Sequence, residues 1–368
     1  MMPRILIVSD PFCAPAYTPR LRYLCDYLYK KGYDISVYTE QWETLPFLHD
    51  YTIVEKPRPY HSTWAWALYA FWSLLTDHRN RSFSNWLVRQ IGNQHFDLVF
   101  CTTFSTFPLR AAHHIAKRLQ VPLVADIRDI DEQFTDNYNY GHQQWWASPF
   151  RKFYRKVNLK RRNRILEATD CITTVSPWHV DFLRRFNPNT RLIYNGYDPA
   201  LFYAEDINTP AFLVSYIGRI YAFQNTKLIE QALQELNLPN VSLNLHTPTH
   251  HPIPIAEVGN EIRRSSIILV LVHPQAKGMM TTKFFEALGC EKPILCIPSD
   301  EGMLAETIRV TRAGVATSNL EDVKNFILEK YQEWQTNGFT RQKVTDKEQF
   351  SREYQARQFE ELFLQYIQ

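Results

Sequence analysis

Short apolar runs alternate with amphipathic stretches along the first half of the chain. Strands are predicted over residues 4–9, 34–39, 97–102, 122–126, 171–175 and 191–194. Helices are predicted over about 19–31, 62–92, 106–119 and 177–186. Strands that are separated by helical stretches are typical of right-handed βαβ crossovers, and such crossovers build a parallel sheet. The first half therefore predicts a doubly wound α/β domain.

The same rhythm starts again after a turn at Asn195-Gly196 and a linker over 197–210. Further strands are predicted over 212–217, 241–246, 267–272, 294–297 and 314–317, and helices are expected to start near 226, 254, 281, 302 and 320. A last helix, over about 348–366, carries aromatic and leucine side chains on one stripe. The chain therefore predicts two doubly wound domains in tandem, whose ligands bind outside the carboxyl ends of the strands.

The composition is that of a folded protein without a disulfide or metal framework. Hydrophobic residues make up 45% and charged residues 21% of the 368 residues, with a formal net charge of +3. The six cysteines are scattered without a Cys-x-x-Cys pair, so we expect buried thiols in a reducing compartment. The pairs His113-His114 and His250-His251 lack the spacing of a helical metal site. Because the first apolar run begins at Ile5, we expect no signal peptide.

The most informative segment, 273–289, follows an apolar strand and opens a helix with Thr281 and Thr282. The amides and the positive dipole end of such a helix suit a diphosphate, and either threonine could cap the helix or donate to a phosphate oxygen. Lys283 lies in the first turn, where a cation is unfavourable unless an anion is bound. Glu286 shares a face with Lys283 and could accept hydrogen bonds from ribose hydroxyls. The alternative is an ordinary threonine-capped helix with a surface Lys–Glu pair.

Several further short motifs occur in a fixed order along the chain. They are Thr18–Leu24, Ala125–Ile130, Val175-Ser176, Asn195–Asp198, Tyr216–Arg219, Lys283–Gly289 and Lys292–Ile294. Together they resemble glycosyltransferase family 4, and the first two look like its bacterial surface-polysaccharide members. The resemblance covers nearly the whole chain and implies the GT-B fold, in which two Rossmann-like domains face a cleft. It also implies sugar transfer with retention of anomeric configuration.

The resemblance also implies that each domain binds a different substrate. Residues 1–197 would bind the acceptor, with the C-terminal helix at 346–368 returning to this domain, and residues 198–345 would bind a nucleotide sugar. Glu286 would then hold the donor ribose, while the helix start, with Thr281, Thr282 and Lys283, would hold the diphosphate.

Two positions depart from the family pattern on the donor side. Arg219, which follows Gly218, matches an arginine that neutralises the departing diphosphate, but the lysine expected five residues later is Gln224, and Lys227 is an open substitute. The first of the family's two paired glutamates falls at Gly278, so backbone amides from Gly278 to Met280 would have to contact the transferred sugar. The reaction would need no metal and no cofactor, since the nucleotide sugar is a substrate.

On the acceptor side, Asp129 and Arg128 follow a predicted strand and are expected to face the transferred sugar. Asp129 would position the acceptor or support the oxocarbenium-like transition state. A structural salt-bridge cluster of Asp126, Arg128 and Asp129 is the alternative interpretation. Arg20, at the start of the first helix, could contact an acceptor phosphate, or it could be a plain surface arginine.

A basic segment predicts contact with an anionic membrane surface. Residues 150–166 contain no acidic residue and eight basic ones, namely Arg151, Lys152, Arg155, Lys156, Lys160, Arg161, Arg162 and Arg164. Trp145 and Trp146 stand just before this segment, and the pattern is typical of an interfacial helix. The alternatives are a solvated face or a nucleic-acid contact. The apolar stretch Trp64–Leu75 is too short to span a bilayer, so it is either a core helix or a helix that dips into lipid.

These observations predict a cytoplasmic glycosyltransferase on the inner face of the cell membrane. It would move a sugar from a UDP- or GDP-sugar to a lipid-linked, for example polyprenyl-linked, glycan in surface polysaccharide biosynthesis such as that of lipopolysaccharide. A non-hydrolysing sugar-nucleotide epimerase and a degenerate transferase-like scaffold remain alternatives. An NAD-dependent enzyme is disfavoured because no Gly-x-Gly-x-x-Gly follows either opening strand, and no nucleic-acid-binding module is recognisable.

Overall fold

The computed structural model describes residues 2–10, 12, 19–41, 49–58, 62–103, 106–133, 148–221, 224–248, 251–272 and 278–367. The backbone alone is described at 63, 66, 67, 70, 74, 148–152, 154 and 255. The chain divides into two compact units. The first comprises Met1–Asp131, Gln143–Tyr194 and Ala356–Gln368, and the second comprises Glu132–His142 and Asn195–Gln355. Residues 346–355 therefore belong to the second unit, whereas the sequence assigned them to the first.

The first unit is built on a seven-stranded parallel sheet with the strand order β3-β2-β1-β4-β5-β6-β7. Its strands are β1 (Arg4–Ser9), β2 (Asp34–Glu40), β3 (Thr52–Lys56), β4 (Leu98–Thr103), β5 (Leu123–Ile127), β6 (Cys171–Thr174) and β7 (Thr190–Leu192). The sequence did not predict β3, which pairs with β2 at the edge of the sheet. Two of its five residues are charged, and its side chains are half-buried or exposed, so its hydrophobic signal is weak.

Among the described residues, six α-helices lie entirely in the first unit. They are α1 (Pro19–Lys30), α2 (Thr63–Thr76), α3 (His78–Ile91), α4 (Leu109–Leu119), α5 (Ser148–Leu166) and α6 (Pro177–Leu183). The helical region predicted over 62–92 consists of two helices, because Asp77 adopts a left-handed conformation with φ of 58° and separates α2 from α3. Aspartate tolerates this conformation better than most residues. Its carboxylate also pairs with Arg110 and accepts a hydrogen bond from Asn80 Nδ2 at 2.8 Å.

The second unit repeats the architecture on a five-stranded parallel sheet with the order β12-β11-β10-β8-β9. Its strands are β8 (Phe212–Ile217), β9 (Val241–His246), β10 (Ile267–Leu271), β11 (Ile294–Ile297) and β12 (Gly314–Ala316). Its helices are α7 (Lys227–Leu236), α8 (Ile255–Arg264), α9 (Thr282–Gly289), α10 (Met303–Thr311) and α11 (Leu320–Asn337). The prediction of two doubly wound α/β domains is therefore confirmed.

The last helix, α12 (Arg352–Leu364), packs its carboxyl-terminal part into the first unit. Phe359 and Phe363 are buried, and their rings lie 5.3 and 5.2 Å from the ring of Phe100 on β4. They join one face of the sheet with Ile5 and Ile7, while the alternate side chains of β1 face the other layer. The predicted return of the C-terminal helix to the N-terminal domain is confirmed.

Both sheets have a switch point. This is the place between two adjacent strands from which the following connections run to opposite sides of the sheet. In the first unit this point lies between β1 and β4, and in the second it lies between β8 and β10. Open α/β sheets bind ligands outside the carboxyl ends of the strands at such points. Residues that follow β1, β4, β8 and β10 are therefore the first candidates for a functional site.

The cysteines and the helices bear on two further expectations. Five free cysteines are buried in the described part of the chain, as expected, and Cys13 lies outside it. No helix within the described ranges is both long enough and apolar enough to cross a membrane.

We predict that Phe359→Ala lowers the free energy of unfolding by about 3–5 kcal/mol, because it leaves a cavity against Phe100. Urea denaturation measures the change. The matched control on the same helix is Leu364→Ala, whose side chain is exposed and should cost less than about 0.5 kcal/mol. Equal denaturation midpoints for the two variants would refute the packing of α12 described above.

Candidate active site

The amino end of α9 in the second unit has no side-chain cap among the described residues. Thr281 is the N-cap residue, with φ of −73° and ψ of 144°, but its side chain makes no capping hydrogen bond. The first turn also contains no acidic residue. A helix end of this kind favours a bound anion through its amides and its dipole. Residues 273–277, which precede this end, lie outside the described residues.

The end of the Lys283 side chain packs against Gly218, so the first turn of α9 touches the loop that follows β8. A Cβ atom added to Gly218 would lie 2.6 Å from Lys283 Cε and 2.9 Å from Nζ, and Gly218 has φ of +133°. Lys283 Nζ also lies 5.3 Å from the centroid of the Tyr216 ring. The switch point therefore brings Gly218 and Lys283 together. The backbone conformation of Gly218 favours glycine, and a larger residue there would displace the end of this lysine.

Glu286 lies one turn after Lys283 and is half-buried. Burial raises the pKa of Glu286, and the charges of Arg352 and Lys283 act against this rise. Burial likewise lowers the pKa of Lys283, which the charge of Glu286 opposes. The interpretation as an ordinary surface Lys–Glu pair is therefore wrong. These charges are held where water shields them little, and such groups are typical of ligand sites.

The sequence did not identify Arg352, the third charge of this group. It is buried at the start of α12, its backbone amide donates to Tyr197 O at 2.7 Å, and its Nη1 lies 4.0 Å from Asp198 Oδ2. Tyr197 N in turn donates to Phe350 O at 2.9 Å, which fixes the segment before α12. The Asn195–Asp198 motif was the available signal, but only the fold connects it to Arg352 and Glu286.

Gln224, which stands where the family pattern expects a lysine, ties the loop after β8 to the end of β10. Its Oε1 accepts a hydrogen bond from Tyr221 N at 3.0 Å, and its Nε2 donates to Leu271 O. The hydroxyl of Tyr216 donates to Arg219 O at 2.7 Å in the same loop. Gln224 therefore orders the loop through backbone contacts.

Arg219 and Lys227 both have exposed side chains. Neither takes part in an ion pair within the described part of the chain, and Lys227 is the first residue of α7. Their cationic ends are therefore available to an anionic ligand. Gly278 is buried with φ of +66°, and Met280 is also buried, so the chain turns sharply just before α9.

A second polar cluster lies at the carboxyl ends of the strands in the first unit. Arg20 is only 6% exposed, and its Nη1 donates to both carboxylate oxygens of Asp126 at 3.0 Å. Its Nη2 donates to Ile193 O at 2.7 Å, and Thr102 and Thr173 also donate to Asp126, at 2.9 and 2.7 Å. The alternative of a plain surface arginine is therefore wrong. Contact between Arg20 and an acceptor stays a prediction, although both terminal nitrogens already have partners.

Asp10, which the sequence did not identify, lies near Arg128 at the carboxyl ends of the strands and interacts with its charge. Asp10 follows β1 and accepts a hydrogen bond from Thr103 Oγ1 at 3.0 Å, while Arg128 N donates to Thr103 O at 3.1 Å. Burial lowers the pKa of Arg128, and Asp126, Asp10 and Asp129 oppose this in that order. The structure thus brings Arg128 and the half-buried Asp129 to the expected edge of the sheet. The available signal for Asp10 was its position directly after the first strand.

The predicted membrane residues are only partly described. Trp145 and Trp146 lie outside the described residues, and for Arg151 and Lys152 only the helical backbone of α5 is described. Arg155 donates from Nη2 to Asp131 O at 2.5 Å, whereas Lys156 is exposed. One member of the basic set, Arg162, is buried and hydrogen-bonded to Asn163 Oδ1, so it does not contribute to a basic surface.

Solved structures of other proteins share this architecture. The chain superposes on sucrose-phosphate synthase from Thermosynechococcus elongatus with a TM-score of 0.69 at 15% identity, covering 98% of both chains. It superposes on WaaG, a glycosyltransferase involved in lipopolysaccharide biosynthesis, with a TM-score of 0.60 at 12% identity, covering 91% of this chain and 94% of WaaG. The model of Glycosyltransferase Family 4 matches residues 20–201, just under half of the chain. This match and the two superpositions support a transferase with the GT-B fold, a glycosyltransferase.

A further structural relative is described as an epimerase and not as a transferase. A protein described as a UDP-N-acetylglucosamine 2-epimerase from Listeria monocytogenes superposes with a TM-score of 0.55 at 12% identity, covering 98% of this chain and 95% of that one. Identities this low show the fold alone. No sequence among the curated proteins matches the chain significantly. No group of three His, Cys, Asp or Glu residues that could hold a metal occurs within the described ranges, and metal independence stays a prediction.

We predict that affinity for a nucleotide sugar has a bell-shaped pH dependence. The pH range of tight binding should be narrower than a glutamate and a lysine with unshifted pKa values would give. The raised pKa of Glu286 protonates the carboxylate at a higher pH than usual, and the lowered pKa of Lys283 removes its charge at a lower pH than usual. The donor's diphosphate diester stays ionised across this range. Calorimetric titration over pH measures the profile. Glu286→Gln should bind more weakly and lose the acid limb, and an unchanged acid limb would refute this role.

Proposed function

We propose that this glycosyltransferase moves a sugar from a UDP- or GDP-sugar to a lipid-linked glycan, with retention of anomeric configuration. One observation carries the donor half of the proposal. Lys283 packs against Gly218, so the loop that carries Arg219 touches the first turn of α9, and Glu286 lies one turn further along that helix. That spacing suits a pyrophosphate joined to a ribose.

In the proposed donor complex, the first-turn amides of α9 and the side chains of Arg219 and Lys283 surround the diphosphate. The carboxylate of Glu286 accepts hydrogen bonds from the ribose hydroxyls. Lys227 is a further cation at the start of α7. Charge builds up on the diphosphate as it leaves, so donors that are already in place stabilise the transition state more than the ground state.

The proposed reaction occurs on one face of the sugar. The bond between the anomeric carbon and the phosphate oxygen breaks, and the acceptor oxygen forms a new bond to the same carbon. The acceptor proton passes to the leaving phosphate oxygen, so no further base and no metal are required. With glycine at position 278, backbone amides up to Met280 would contact the transferred sugar in place of a carboxylate.

We assign the acceptor side to the first unit. Arg128 and Asp129 follow β5, and Asp10 follows β1, so all three lie at the carboxyl ends of the strands near the switch point of that sheet. Asp129 would orient the acceptor hydroxyl, and Arg128 would supply positive charge to it or to an acceptor phosphate. Arg20 would support the site by holding Asp126, which makes it a positioning residue.

A cytoplasmic location at the inner face of the cell membrane follows from the proposed acceptor and from α5. Lys156, Lys160 and Arg164 are exposed on this helix. Juxtamembrane basic residues contribute about 1 kcal/mol each at an anionic surface. The likeness to WaaG agrees with a role in surface polysaccharide biosynthesis, where acceptors are carried on lipid.

The likeness to an epimerase keeps a second reaction open on the same fold. An epimerase would convert its nucleotide sugar without an acceptor, whereas a transferase would release UDP or GDP only when an acceptor is present. A degenerate scaffold would bind no donor or would bind it without turnover. Acceptor-dependent nucleotide release therefore separates the three.

We predict that Glu286→Ala weakens binding of the productive UDP- or GDP-sugar about ten- to hundredfold, because hydrogen bonds to a charged group contribute about 1.5–3 kcal/mol. Glu306→Ala is the matched control, since Glu306 is an exposed glutamate of α10 that pairs with Arg309. Thermal shift and calorimetry measure binding. Failure of every UDP-, GDP- and CMP-sugar to bind the wild-type protein would remove the proposed function.

We predict that Lys283→Ala lowers kcat about 10²- to 10³-fold, as expected for the loss of a preorganised donor to a developing charge. Gly218→Ala should lower kcat/KM as well, because its new Cβ displaces Lys283. The control is Lys343→Ala, which removes an exposed lysine elsewhere in the second unit. Steady-state assays of nucleotide release provide the readout, and wild-type kinetics in Lys283→Ala would contradict the proposal.

A further inference from the structure

Helix α2 displays a row of large apolar side chains to solvent. Trp64, Leu68, Phe71, Trp72 and Leu75 are all exposed, with exposures of 83% at Trp64, 70% at Leu68 and 55% at Trp72. At 3.6 residues per turn these five positions fall within an arc of about 100°. We call this row the α2 stripe. Its size and continuity exceed what isolated surface residues produce, so it indicates an interaction surface.

The opposite side of α2 rests on its own unit. Tyr69 and Ser73 are half-buried, and the Tyr69 ring packs edge-on against the ring of His78 at 5.8 Å. Ser62 caps the amino end by accepting from Ala65 N at 3.2 Å. The helix is thus oriented with its apolar side outward, so the interpretation as a core helix is wrong.

The carboxyl end of α2 is joined to the basic helix α5. Asp77, which ends α2, pairs with Arg110 of α4 and lies 3.9 Å from Nη1 of Arg161. Nη2 of Arg161 also donates to Leu75 O at 3.5 Å. Arg161 of α5 therefore lies beside the carboxyl end of the α2 stripe, while α2 itself carries no charged residue.

We infer that the α2 stripe inserts into the interfacial layer of an anionic bilayer, with the lysines and arginines of α5 on the lipid headgroups beside it. Apolar anchors next to cations match the two layers of such a surface, and tryptophan favours this depth. With 14 residues, α2 is about 21 Å long and lies in the plane of the membrane, since a span requires about 20 residues. The inference deepens the proposed membrane location and rests on the proposed lipid-linked acceptor for its purpose.

A second copy of the chain fits this surface less well. A symmetric contact through the α2 stripe would bring no opposite charge from α2 to the basic residues of α5, because α2 carries no charged residue. Anionic lipid instead neutralises that charge. The charge beside the stripe therefore favours a bilayer as the occupant.

The test compares vesicles of phosphatidylcholine alone with vesicles that also contain phosphatidylglycerol. Wild-type protein should bind the anionic vesicles, and Leu68→Ser/Trp72→Ser should lower the partition coefficient about tenfold or more, because two large apolar side chains lose their burial in lipid. Val310→Ser/Leu364→Ser is the matched control, since both residues are exposed and lie outside the α2 stripe. Lys156→Glu/Lys160→Glu should weaken binding mainly at low salt.

A depth measurement separates insertion from surface adsorption. Brominated lipid should quench tryptophan emission in the wild type, and Trp64→Phe/Trp72→Phe should keep binding but lose much of the quenching. Circular dichroism verifies that each variant is folded. Wild-type partition by Leu68→Ser/Trp72→Ser would overturn the inference. A wild-type dimer that this variant dissociates, without vesicle binding, would overturn it as well and identify a second copy as the occupant.

Donor binding is measured in parallel on the same variants. Nucleotide-sugar affinity in solution should be unchanged in Leu68→Ser/Trp72→Ser. If the wild type binds anionic vesicles through the α2 stripe but binds no nucleotide sugar, the membrane surface stands and the proposed reaction fails. If it binds donor but no vesicles, the reaction stands and this inference fails.

Discussion

Three charges, two half-buried and one buried, share a corner of the second unit, and the architecture of the proposed donor site depends on how they are held. Lys283 and Glu286 lie one turn apart on α9, and Arg352 reaches the same corner from the start of α12. Burial disfavours the charged form of Lys283 and of Glu286. The attraction of Glu286 to Lys283 and to Arg352 offsets this only in part. A bound diphosphate and ribose would supply the partners that the protein itself does not fully provide. Gly218 leaves space for Lys283, and Gln224 orders the adjoining loop through its backbone contacts.

The hydrophobic pattern predicted most of the fold because parallel strands buried on both faces give strong apolar runs. It missed β3, whose edge position permits charged residues, and it missed the break at Asp77. That break depends on a left-handed backbone stabilised by Arg110 and Asn80, and neither contact leaves a signal in the local sequence. Helix α2 was ambiguous for a related reason. An apolar stretch looks the same in sequence whether it faces the core or the solvent.

Within the candidate site, the sequence predicted contacts between residues a few positions apart. It did not predict contacts between residues from distant segments. The interval between Lys283 and Glu286 follows from helix geometry, so their shared face could be predicted. Arg352 and Asp10 join their clusters only through the fold, because each comes from a distant segment of the chain. The sequence also showed that Gln224 replaces an expected lysine, yet only the coordinates reveal that its amide binds the backbone at Tyr221 and Leu271. The family match identifies the class of reaction, and these residues define what is particular to this chain.

The central claim is that a nucleotide diphosphate binds at the amino end of α9 with its ribose on Glu286. Crystals grown with UDP or GDP test this most directly. The account predicts diphosphate density within hydrogen-bond distance of the first-turn amides of α9 and of Lys283, with ribose hydroxyls on the Glu286 carboxylate. Nucleotide density at another place, with Glu286 making no ribose contact, would contradict it.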